Sequence, residues 1–400
     1  MPLPAPKLLL DLTPLSTPGG ARGIGRYIRE LAMGLSELGD SELHGIELVG
    51  ITALNFKGDY CVVHDLGEFL TTHSPELLKT SDYYSWAYRQ RLAFWLAARR
   101  IGAKAVHFCD PHATPRFMSL SGAKRIVTCH DLVPTRFPDH YLGARDGGAT
   151  LGRLIERQRY RSADLVIAVS DATKHDVCTL LDVPDERVVR VYNGVNIEQW
   201  AREPSMNSDA VLERLGLLGR TYALYVGGAD WRKNVEGMMA ALAQARQRGL
   251  ALELVWAGHL EAGPRANVER HAASAGVSEF VHYIGYVSDE ELSVLYRRSL
   301  AHLFVSRLEG FGLTVVEAMA CGCPVVTTNA GSLSEVAGDA ALMVDPEDPQ
   351  AIALALMKLG EHSELRRELV LRGRARAQRF SRGELARATA AVYRKQLLPS

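Results

Sequence analysis

Two carboxylates, Glu309 and Glu317, flank the seven residues Gly310-Phe311-Gly312-Leu313-Thr314-Val315-Val316. The apolar run at 303–305 has the pattern of a buried strand, and 311–321 has the apolar spacing of a packed helix. Glu309 therefore falls in a strand-to-helix loop, and Glu317 about one and a half turns into the helix. The backbone N–H groups of Gly310, Phe311, Gly312 and Leu313 then face whatever occupies the loop, and a helix start favours phosphate there. A carboxylate at the rim can bind hydroxyls, and one further in can reach a ribose. That combination suits a sugar nucleotide. The plainer alternative is an amphipathic helix with a solvated Glu, against which the flanking glycines and the preceding strand argue.

Continued by Ala318-Met319-Ala320-Cys321-Gly322-Cys323-Pro324-Val325-Val326, this stretch resembles the Glu-x7-Glu signature of the retaining glycosyltransferases of family 4. The likeness runs over nearly the whole chain and is stronger in its second half. It implies an α/β chain of GT-B architecture, two doubly wound Rossmann-like domains facing each other across a cleft. It also implies a nucleotide diphosphate sugar as donor, retention at the anomeric carbon, and no metal or other cofactor. No Asp-x-Asp pair stands where a metal would be needed.

Three further stretches carry chemistry. Gly227-Gly228-Ala229-Asp230-Trp231-Arg232-Lys233-Asn234 places two cations at a helix start, where they oppose the helix dipole unless they share an anionic ligand. Two solvated charges are the alternative. The resemblance makes Lys233 a holder of the leaving diphosphate and offers Arg232 as substitute for the family's Arg, whose position is Gly228 here. Gly19-Gly20-Ala21-Arg22-Gly23-Ile24-Gly25-Arg26-Tyr27 lets backbone approach phosphate at another helix start, or is simply a flexible turn. The resemblance puts Gly23 nearest the diphosphate. His130, at a strand end beside Asp131 and before a proline-bounded loop, resembles the family's histidine near the transferred sugar. His107 and His112, on either side of Asp110 in another loop, read better as core or surface residues. By resemblance the reacting set is His130, Glu309, Lys233 and Arg232. The donor-binding set is Gly23, Gly227, Gly228, Tyr286, Gly310, Phe311, Gly312, Leu313 and Glu317.

These residues need a scaffold. Four hundred residues suggest two domains. Strand-like runs at 7–12, 125–129, 165–169 and 188–192 alternate with helical patterns, then restart at 222–226, 252–257, 281–284, 302–305, 325–328 and 342–344. Such alternation predicts parallel sheets with crossover helices. Between the two sets, 196–220 reads as a linker. Expected boundaries are 1–197 and 198–381, with a helix at 382–400 crossing back to the first domain, as the family resemblance implies.

Composition narrows the function further. Equal numbers of acidic and basic residues give zero net charge, so no global field recruits nucleic acid. Leu8-Leu9-Leu10 is cut off by Asp11 and makes no signal peptide. The six cysteines form neither a disulfide framework nor zinc hooks, which points to a reducing, cytoplasmic setting. The basic aromatic stretch 86–100 either lies on an anionic membrane, placing the protein at its inner face, or is a domain helix with a solvated edge. Its Trp and Leu content favours the helix.

The expected activity is a metal-independent, retaining hexosyltransferase. It would pass mannose from GDP-mannose to a glycan or lipid-linked acceptor, as the likeness to bacterial polysaccharide mannosyltransferases implies. Other GDP- or UDP-sugars, a GT-B phosphorylase or epimerase, and an inert sugar-nucleotide binder are the rivals. A dinucleotide oxidoreductase would need a full glycine fingerprint and a ribose acid, and both are missing.

Overall fold

The computed structural model describes residues 5–16, 20, 23–53, 60–72, 94, 96–110, 122–141 and 148–398. The chain divides into two compact units, Met1–Val195 with Ser381–Ser400, and Asn196–Phe380.

The first unit is built on strands β1 (Lys7–Asp11), β2 (Glu47–Ala53), β3 (Tyr60–Val63), β4 (Ala105–Phe108), β5 (Lys124–Cys129), β6 (Leu165–Ala168) and β7 (Val188–Arg190). They lie in the order β3-β2-β1-β4-β5-β6-β7, parallel except for β3, which runs antiparallel to β2. Both faces of the sheet are covered, so the central strands read as continuous apolar runs. Leu8 and Leu10 pack one way against Tyr27, Ile28 and Leu31. Leu9 packs the other way with Val106, Phe108 and Val127. The helix Arg382–Leu397 belongs to this unit and lies along the helix Gly23–Ser36. Arg382 reaches Glu30 at 2.7 Å and Glu37 at 2.8 Å there.

The second unit has strands β8 (Tyr222–Val226), β9 (Glu253–Ala257), β10 (Val281–Gly285), β11 (Ala301–Phe304), β12 (Val325–Thr328) and β13 (Leu342–Val344). Their order is β10-β9-β8-β11-β12-β13, parallel throughout. This is a doubly wound sheet whose winding reverses between β8 and β11, and ligands of such sheets bind outside the carboxyl ends at that reversal.

Three sequence expectations need correction. Residues 196–220 are not an unstructured linker: they hold the helices Ile197–Ala201 and Ser208–Arg214, started by the side chains of Asn196 and Asn207. Tertiary contacts fix both. Arg297 Nη2 donates to the carbonyls of Trp200, Ala201 and Arg202 at 2.9, 2.9 and 2.8 Å. Second, β2, β3 and β4 were not anticipated. Third, His107 lies on β4 rather than in a loop. It is fully buried, its Nδ1 2.6 Å from Tyr393 Oη and its Nε2 2.7 Å from Thr128 Oγ1. Burial, with a smaller push from His130, lowers its pKa to about 3. It is a neutral core histidine.

His112 lies outside the described residues, as do Trp86 and most of the stretch after it. Of that stretch, Phe94, Ala97 and Ala98 enter the core while Leu96, Arg99 and Arg100 are exposed. Among the described residues no helix is long and apolar enough to cross a membrane.

Candidate functional site

The loops leaving β8 and β11 bring the principal charged residues together. After β8 the chain makes a single 3₁₀ turn, Trp231–Lys233, whose start is capped by the Asp230 carboxylate accepting from Arg232 N at 2.9 Å. Lys233 then extends to the loop after β11, where Nζ donates to Glu309 Oε1 at 2.6 Å. Both side chains are nearly covered, 13% and 9% exposed, and the ammonium sits 4.9 Å over the Phe304 ring. Burial by itself would raise the Glu309 carboxyl, but Lys233 and then Arg232 outweigh it and hold the group below its ordinary value. Glu309 is thus an ionised acceptor in a low-dielectric setting, next to two cations.

The helix after this loop begins at Leu313 and ends at Cys321, two residues later than the apolar spacing suggests. The delay has a backbone cause. Gly312 stands at φ 109° as the N-cap, with no side chain capping the helix, and a Cβ there would lie 2.7 Å from Leu333. Only glycine fits. The loop itself is pinned from below: Ser332 Oγ donates to the carbonyls of Glu309 and Phe311 at 2.9 and 3.0 Å, and the buried Phe311 ring meets Phe380 edge-on at 5.5 Å. Phe311 is an anchor, its ring buried on Phe380 and its carbonyl held by Ser332.

Glu317 has no exposed surface and accepts from Tyr296 Oη at 3.4 Å. On neighbouring β11, His302 Nδ1 donates to Leu224 O at 3.0 Å and Nε2 lies 3.3 Å from Thr314 Oγ1. Burial is the main cause that lowers its pKa to about 4, so a neutral ring with Nδ1–H on the carbonyl accounts for both contacts. Gly228 is held by Tyr225 Oη donating to its carbonyl at 2.7 Å, and Gly227 by Trp256 Nε1 at 3.1 Å. Tyr286 follows β10 and is 84% exposed.

In the first unit, His130 is half-buried, Nε2 lying 2.7 Å from the Cys109 carbonyl and its ring 4.9 Å from that of Tyr27. Gly23 opens the helix Gly23–Ser36 with open space where its Cβ would be, whereas a Cβ at Gly25 would stand 1.9 Å from Gly20 O. Gly25 is the position the turn requires. Asp11, at the end of β1, is fully buried with Thr13 N and Oγ1 donating to Oδ1 at 3.0 and 2.6 Å. Burial raises its pKa to about 7.

Sequence spacing found Glu309, Glu317, Lys233 and Arg232 but passed over the residues that brace them. Asn234, Tyr296, His302 and Ser332 are all buried. Only Asn234 had a signal, an Asn beside cations at the end of a glycine loop. Among the described residues no group of three metal-ligating side chains occurs.

This arrangement has counterparts. The family described as glycosyl transferases group 1 matches residues 212–376, and that described as Glycosyltransferase Family 4 matches residues 21–199. The O-antigen chain mannosyltransferase B of Escherichia coli is 31% identical over 263 residues, 64% of this chain and 67% of that one. The serotype-specific mannosyltransferase WbdA of the same organism is 29% identical over 264 residues, again 64% of this chain, yet this chain spans only about a third of WbdA, 32%. In structure, the sucrose-phosphate synthase of Thermosynechococcus elongatus superposes with a TM-score of 0.75 at 20% identity over 98% of both chains, which shows a shared GT-B fold. Matched in both units and across their sheets, the chain belongs to the group 1 (family 4) glycosyltransferases.

Proposed function

We propose that this glycosyltransferase moves mannose from GDP-mannose to a glycan or lipid-linked acceptor, with retention and without a metal ion. The observation that carries the reading is the buried Lys233–Glu309 pair at the sheet reversal, beside a helix start that no side chain caps. In a donor complex, Lys233 and Arg232 would meet the diphosphate, together with the N–H groups around Gly310, Phe311, Gly312 and Leu313. Glu309 would accept from sugar hydroxyls. Cationic side chains and helix dipole would then stabilise charge growing on the leaving diphosphate, the role a metal plays elsewhere. Glu317 is assigned to the ribose and Gly23 to the diphosphate. The two E. coli relatives, both mannosyltransferases, support mannose, and the six unpaired cysteines support a cytoplasmic site of action.

The test is a donor panel of GDP-mannose, other GDP-sugars and UDP-sugars, scored by thermal shift and by nucleotide release with and without EDTA. Preference for GDP-mannose, unaffected by EDTA, is the expected result. Loss with EDTA and recovery with Mg²⁺ or Mn²⁺ would refute the metal-free reading, and preference for a UDP-sugar would move the donor. Release of sugar phosphate rather than nucleotide would indicate a phosphorylase. His130→Ala is expected to depress transfer while sparing affinity for free GDP, which lacks the sugar. An equal loss of GDP affinity would remove His130 from the sugar.

A further inference from the structure

Asn234 follows Lys233 in the chain and has no exposed surface. Its backbone is left-handed, φ 56°, a conformation in which Asn is tolerated but most residues are strained. Its Oδ1 accepts from Gly237 N at 3.2 Å, which is an ordinary helix cap and needs no more than an acceptor. The amide's other end does something else. Nδ2 donates to the carbonyl of Val305, just past β11, at 3.2 Å and to that of Pro346, beyond β13, at 2.6 Å. Arg307 completes the tie from the opposite side: its N donates to Arg232 O at 2.7 Å, and its Nη1 to Trp231 O at 3.1 Å. Its guanidinium is held in turn by Glu347 at 2.6 Å. The residues on either side of Lys233 are thus fastened to the segment that carries Glu309 two positions after Arg307.

We infer that Asn234, aided by Arg307, is a positioning residue that sets Lys233 against Glu309, so that cation and carboxylate meet the donor as one rigid unit. The inference rests on the proposed role of Lys233 toward the diphosphate. Without the tie, a four-carbon lysine stem has many rotamers and the 2.6 Å contact is one arrangement among several.

The experiment compares wild type with Asn234→Gly, which keeps the left-handed backbone, and with Arg307→Ala, which spares the helix cap. Lys233→Met and each double variant with it complete the set. Crystal structures read the Lys233–Glu309 separation, and calorimetry with GDP, UDP and ADP reads diphosphate affinity. Asn234→Gly is expected to separate the pair and to weaken the bound diphosphate about tenfold, the effect of mislaying one charged hydrogen bond. Arg307→Ala should move both readouts in the same direction and less far. In the Lys233→Met background neither change should weaken binding further, because both act through the lysine. A pair still at the wild-type separation in Asn234→Gly, or losses that add to that of Lys233→Met, would overturn the inference. If Lys233→Met leaves every diphosphate affinity unchanged, or wild type binds none, the functional reading fails instead, and the crystal structures still decide the positioning role.

Discussion

Lys233 stands just before the helix Val235–Gln247, where a positive charge opposes the helix dipole. The arrangement is stable because Glu309 neutralises it at 2.6 Å under nearly complete cover. Removing one member of such a pair leaves the other buried and unpaired, at a cost of about 3–5 kcal/mol. Lys233→Met should therefore destabilise the second unit by that order in denaturant unfolding, and Lys233→Met/Glu309→Gln should recover much of it. Equal instability of the single and double variants would show that the pair is not what matters. In catalysis the lysine would meet charge that grows as the glycosidic bond breaks. Its loss should then cut nucleotide release from GDP-mannose roughly 10²–10³-fold, more than it cuts donor affinity. A change confined to affinity would place Lys233 in ground-state binding only.

Secondary-structure elements are held by close backbone approaches as much as by side chains. Gly25→Ala puts a methyl group 1.9 Å from Gly20 O, while Gly23→Ala adds one to open space. Gly25→Ala should cost about 1–3 kcal/mol of overpacking, and Gly23→Ala nearly nothing; comparable melting temperatures for the two would contradict the packing described. Arg297 likewise satisfies three carbonyls at the end of Ile197–Ala201. Arg297→Met should loosen that helix, seen as faster limited proteolysis around 202–208, and an unchanged cleavage rate would mean other contacts suffice. These details explain what was legible beforehand. Long apolar strands such as Leu8-Leu9-Leu10 and the Glu309–Glu317 spacing announce themselves because their pattern is local. β2 is interrupted by Gly50, β3 is a short edge strand and β4 contains His107, so each owes its state to partners far away in sequence. The helices within 196–220 were invisible for the same reason: Asp289 and Arg297 hold the first from outside, and Glu291 and Arg298 the second. Of the site, the charged residues could be read and the buried braces could not, because bracing is a property of contacts rather than of residue type.

At the scale of the molecule, buried titrating groups are distributed unequally. In the second unit His302 is lowered to about 4 and Glu309 is held low. Below about pH 6.5 the unfolded chain takes up a proton on the histidine that the folded unit refuses. As pH falls further, toward the lowered Glu309 value, the same holds for the carboxylate, so both lose stability on acidification. In the first unit His107, lowered to about 3, behaves likewise, but Asp11, raised to about 7, gains stability over nearly the same interval and offsets it. Hydrogen exchange at pH 5 against pH 7 should therefore show protection lost first within Asn196–Phe380; simultaneous loss, or earlier loss in the first unit, would contradict this balance. The helix Arg382–Leu397 has a consequence of a different kind. Its Tyr393 completes the hydrogen bonding of His107 in the middle of the first sheet, yet it is translated only after the entire second unit. On the ribosome, the first sheet has all seven strands by Arg190 but lacks the helix that covers one of its faces until the end of the chain emerges, whereas the second unit is complete at Phe380. Folding order during synthesis should thus run opposite to chain order, and nascent chains stalled after Phe380 should resist protease in the second unit while the first is still digested.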